Sequence, residues 1–81
     1  MEEKFADVLQ ETAEKKKFVE TVLQDVIKAA YPNVKSLSYE NIGGGEFVAI
    51  NFRNYAPGYV CVDCDSLSAI IKDVIRKLDR I

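Results

Sequence analysis

The opening stretch of the chain places Phe5, Val8, Leu9, Thr12, Val19, Val22, Leu23, Val26, Ile27 and Ala30 at helical spacing. At about 100° per residue they share one stripe, with Thr12 and Val19 near its centre, and predict a single helix from Glu3 to Ala30. The register runs unbroken through Lys15-Lys16-Lys17. Glu11 and Lys15 stand four apart in the favourable order, and Lys28 suits the C-terminal end of the helix dipole. Tyr31-Pro32 ends the helix, because proline disfavours helical geometry in the residue before it.

The hydrophobic period then changes to two. Val34 to Asn41 predicts a first strand, with Leu37 and Tyr39 on one face. Glu46 to Arg53 predicts a second, in which Val48, Ile50 and Phe52 alternate with Phe47, Ala49, Asn51 and Arg53. Tyr59 to Asp63 predicts a third, with Val60 and Val62 sharing a face. Ile42-Gly43-Gly44-Gly45 reads as a flexible hairpin connection. Pro57 and Gly58 suit the central positions of a type II turn. Asp65 or Ser66 then caps a last helix whose stripe is Leu67, Ile70, Ile71, Val74, Ile75, Leu78 and Ile81.

The expected fold class is α+β in the order α-β-β-β-α, and residues 1–81 form a single domain. A three-stranded antiparallel meander carries the long N-terminal helix and the C-terminal helix on the face lined by Leu37, Val48, Ile50, Phe52, Val60 and Val62. A helix of about 28 residues extends roughly 42 Å, while strands of about 7 residues extend roughly 23 Å. The sheet therefore leaves the start of the helix uncovered, and Phe5, Val8 and Leu9 read as an interface with a second copy or a protein partner.

Composition narrows the function. Hydrophobic residues make up 48% and charged residues 30%, a globular rather than a disordered profile. The net charge of −2 argues against a protein that coats nucleic acid. No apolar run approaches the roughly 18 residues that a membrane span needs. Met1-Glu2-Glu3 begins no secretory signal, so a cytoplasmic location is expected. Histidine is absent, which removes the commonest general base and metal ligand.

The remaining motifs each meet a plainer explanation. Cys61-Val62-Asp63-Cys64 has the spacing of a redox pair or half a zinc site. Yet Cys61 falls inside a strand, Asp63 and Asp65 disfavour a thiolate, and a structural zinc needs four ligands. Gly43-Gly44-Gly45 leads into a strand and not a helix, unlike a phosphate cradle. Lys15-Lys16-Lys17 lies among Glu11, Glu14 and Glu20 and reads as a solvated helix face, with the Lys15 and Lys16 stems over apolar surface. Asp63 and Asp65 lack the glycine and distal glutamate of a calcium loop. No catalytic residue, cofactor or metal site is assigned.

The second face of the sheet collects Ser36, Ser38, Glu40, Phe47, Asn51, Arg53, Tyr59, Cys61 and Asp63. Rings beside Asn and Arg on an open sheet suit single-stranded nucleic acid, a protein interface or plain solvation. The element order resembles the double-stranded-RNA-binding domain in topology. That family holds phosphates through a lysine-rich start to its last helix, where this chain reads Asp63-Cys64-Asp65-Ser66-Leu67. The expected function is a non-enzymatic protein–protein interaction module, a homodimer docking through Phe5, Val8 and Leu9 and through Phe47, Asn51, Arg53 and Tyr59. A nucleic-acid binder using the sheet face is the alternative, and a CxxC redox or metal protein a third.

Overall fold

The computed structural model describes residues 12–80. They run in the order α1 (residues 12–30), β1 (Val34–Ile42), β2 (Gly45–Phe52), β3 (Gly58–Cys61) and α2 (Leu67–Asp79). This is the predicted α+β arrangement, a single antiparallel sheet in the order β1-β2-β3. Among the described residues no helix is long and apolar enough to cross a membrane.

Helix α1 departs from regular geometry in the middle. Val19–Leu23 forms a π turn, continuous with α-helix before and after it. The Thr21 hydroxyl donates to the Lys17 carbonyl at 2.5 Å and so competes for an acceptor of the regular ladder. The wider turn changes which residues face the sheet. In an unbroken α-helix every fourth residue drifts by about 40°, yet Lys15, Val19, Leu23 and Ile27 are all buried here. Val22 and Val26, assigned above to the buried stripe, are instead 56% and 57% exposed. Lys15, expected on a solvated face, is only 6% exposed. At the far end Tyr31 leaves the helix with φ −128° and ψ 89°, as expected before Pro32.

The strands alternate in the face they present, although in central β2 Ala49 is buried along with Val48 and Ile50, and β1 carries one adjustment. Val34 and Leu37 are both buried although three apart, which strict alternation forbids. A β-bulge between Val34 and Ser36 supplies the extra residue and restores the parity. Ile42 pairs with Gly45, so the expected hairpin connection is a tight two-residue turn at Gly43 and Gly44. Gly43 and Gly44, at φ 58° and 84°, meet its demand for left-handed geometry at both positions. Pro57-Gly58 does not form the expected type II turn: Gly58 has no positive φ and pairs with Ile50 as the first residue of β3. A side chain there would meet the Phe52 ring at 3.6 Å and the Lys77 stem at 3.7 Å.

Ser66 caps α2, its hydroxyl accepting the Ala69 N–H at 3.2 Å. Ile70, Val74 and Leu78 are buried, with Ile71 and Ile75 packed beside them. These meet Val19, Leu23 and Ile27 of α1 and Leu37, Tyr39, Val48, Ile50, Val60 and Val62 of the sheet in one core. The Tyr31 hydroxyl donates to Asp79 Oδ1 at 2.7 Å, tying the ends of the two helices together.

Candidate functional site

Three regions bring polar chemistry or open surface together. The first is built around Glu46, the second residue of β2. Its Oε1 accepts the Tyr39 hydroxyl at 2.6 Å. Its Oε2 accepts the Cys64 N–H at 3.1 Å and the Lys15 ammonium at 3.5 Å. The Glu46 N–H donates to Asp63 Oδ1, and its carbonyl accepts the Val62 N–H at 2.9 Å. One residue thereby joins α1, β1, β2 and the turn into α2.

Burial pushes the Glu46 carboxyl up, but the bonds from Tyr39 and Cys64 and the charge of Lys15 outweigh it and hold the group below its ordinary value. A carboxylate held ionised by three donors is a poor general base. The cleft beside it, about 590 Å³, is also lined by Thr12, Asn41 and Gly44. Among the described residues no three metal-ligating side chains converge.

The CxxC segment folds around this centre. Asp65 N–H bonds to the Val62 carbonyl at 3.0 Å, closing a turn over Asp63 and Cys64. Cys64 takes φ 58°, the one non-glycine residue with positive φ among those described. Both thiols are free and exposed. Cys61 lies in β3, and Cys64 precedes the Ser66 cap by two residues, so neither occupies the first turn of α2. Asp65 Oδ2 is buried with no partner. A hydrogen bond with Asp73, then burial, then the charge of Asp73 push the Asp65 carboxyl up.

The second region is the face of the sheet opposite the described helices. In register, Ser38, Ala49 and Tyr59 form one row and Glu40, Phe47 and Cys61 the next, with Ser36 beside Asn51. Ala49 is buried at the centre, while Tyr59 is 50% exposed. Asn51 Nδ2 donates to Ser36 Oγ at 3.0 Å and reaches Ser38 Oγ at 3.5 Å, so its amide serves cross-strand pairing. Phe47 is half-buried on this face. Arg53 lies past the end of β2, and its guanidinium Nε donates to the Pro32 carbonyl at 3.2 Å. Asp63 likewise leaves the face for the turn. Phe5, Val8 and Leu9 lie outside the described residues.

The third region is the pair of sheet edges, which are finished differently. Along β1, the outward N–H groups of Leu37 and Tyr39 donate to Gln24 Oε1 at 3.0 Å and Glu20 Oε2 at 2.9 Å. These two side chains, four apart on α1, close the edge. Along β3, the bond from Val62 N–H to Glu46 turns residues 60 and 62 toward β2. Alternation then leaves the N–H and C=O of Tyr59 and Cys61 facing outward, and no described side chain caps them. Sequence reasoning missed Glu46, Glu20 and Gln24, because each acts on a partner distant in the chain and no local pattern marks it.

Compared with protein-family models, curated proteins and solved structures, the chain matches none.

Proposed function

We propose that this chain is a non-enzymatic interaction module that associates with a second copy of itself through α1. The supporting observation is the pair Val22 and Val26, one turn apart and each more than half exposed, on a helix that buries its neighbours Val19, Leu23 and Ile27. Two β-branched apolar residues aligned on a solvent face add nothing to the monomer and match an apolar docking stripe. Phe5, Val8 and Leu9 precede them on the same predicted helix. Native mass spectrometry of the untagged protein is expected to show a dimer. V22E/V26E should shift it to monomer without loss of fold, since neither side chain enters the core. A monomeric parent protein would end this reading.

A further inference from the structure

We propose a second interaction surface, independent of the α1 stripe: the free edge of β3 with the adjoining face of α2 is a binding groove for an extended acidic peptide, which adds to the sheet as a fourth strand.

The groove has about 410 Å³ of space between Tyr59, Val60 and Cys61 on one side and Asp73, Arg76, Lys77 and Arg80 on the other. Its strand wall offers the outward N–H and C=O groups of Tyr59 and Cys61, the alternation of donor and acceptor that an extended peptide backbone completes. Four residues of β3 span roughly 13 Å, so a segment of about four residues pairs with them. The helix wall is a stripe at i, i+3, i+4 and i+7 with three cations and one acid. Asp73, which also bonds Asp65, forms a long ion pair with Arg76, at 3.9 Å. Lys77 and Arg80 have no carboxylate within ion-pair distance among the described residues. The Lys77 stem runs beside Gly58, placing its charge near the start of β3. A molecule of net charge −2 that aligns three cations along one groove selects an acidic occupant.

The difference between the two edges sharpens the argument. Exposed edges invite uncontrolled pairing, and folded proteins block them. Glu20 and Gln24 block the β1 edge, so β1 cannot accept the β3 of another copy. Pairing of two β3 edges about a two-fold axis brings two sets of Arg76, Lys77 and Arg80 together, and their repulsion opposes a second copy as the occupant. Nucleic acid satisfies the cations but not the alternating backbone groups of β3.

The test is titration of the ¹⁵N-labelled protein with a short peptide alternating Glu and Val, with a Gln-for-Glu version and a single-stranded oligonucleotide as controls. The acidic peptide should shift the amides of Tyr59 and Cys61 and leave those of Leu37 and Tyr39 in place. R76E/R80E should weaken binding at least about tenfold. Cys61→Pro, which removes an outward N–H, should abolish the peptide-induced shift at the Tyr59 amide. Equal binding of the neutral peptide, or no effect of the arginine reversals, would overturn the proposal. So would a response to the oligonucleotide alone, or Tyr59 and Cys61 amides already protected in a dimer. The V22E/V26E monomer should bind the peptide as well as the parent does, which separates failure of this groove from failure of self-association through α1.

Discussion

Glu46 shows how much of a small fold one residue can hold together. Its carboxylate takes up the Lys15 ammonium, the Tyr39 hydroxyl and the Cys64 N–H, two of them from outside its own hairpin. Glu46→Gln removes the carboxylate charge beside Lys15 and weakens the bonds from Tyr39 and Cys64. It should cost about 2–4 kcal/mol in denaturant unfolding. Because the folded pKa of Glu46 lies below the unfolded one, its contribution is complete above the ordinary glutamate range and is lost as pH falls through the lowered folded value. Glu46→Gln should therefore flatten the acid limb of the stability curve. Asp65 has the opposite sign. Its folded pKa is raised, so what it contributes is present below the ordinary aspartate range and is lost as pH rises through the folded value. Asp65→Asn should stabilise the protein by about 1 kcal/mol at neutral pH, with the gain vanishing in acid. Thermal unfolding at two pH values checks both signs. Cys64, held at φ 58°, makes a third residue-level case: Cys64→Gly should gain about 0.5–1 kcal/mol by relieving left-handed strain.

At the scale of elements, the π turn and the bulge serve one end. Each inserts a residue's worth of phase so that α1 and β1 present their buried residues to each other in register. The π turn places Glu20 inside it and Gln24 just after it, and both then reach the β1 edge. E20A/Q24A should cost about 1–2 kcal/mol, the range for two lost hydrogen bonds at a partly buried edge. It should also accelerate hydrogen exchange at Leu37 and Tyr39 selectively. Unchanged exchange at those two amides would show that the edge is not closed by α1. The core of the α2 stripe (Ile70, Val74 and Leu78), the Ser66 cap and the proline stop were legible in the sequence because they depend on neighbours within a turn or two, whereas Leu67, placed on that stripe, is 41% exposed. The type II turn at Pro57-Gly58 was misread for the converse reason: ladder pairing with Ile50 overrides the local turn preference.

For the whole molecule, a small core makes association and stability one question. If α1 pairs with a second copy, the melting temperature must rise with protein concentration, because dimerisation stabilises the native state by mass action. V22E/V26E should remove that dependence while leaving the dilute-limit melting temperature within about 2–4 °C. The sequence by itself determined the order α-β-β-β-α, the strand that sits in the middle and the residues lining the sheet's covered face. Periods of 3.6 and 2 are written along the chain, and turn residues mark where they change. It also determined that no histidine chemistry is available. Only the tertiary structure decided that Lys15 goes inside and Val22 and Val26 go outside, because a π turn breaks the phase that a regular helix would keep. Only the tertiary structure distinguished the closed β1 edge from the open β3 edge, since Tyr39 meets Glu20 across 19 residues and Leu37 meets Gln24 across 13. Such pairings follow from where the elements pack, and no pattern among neighbouring residues encodes that.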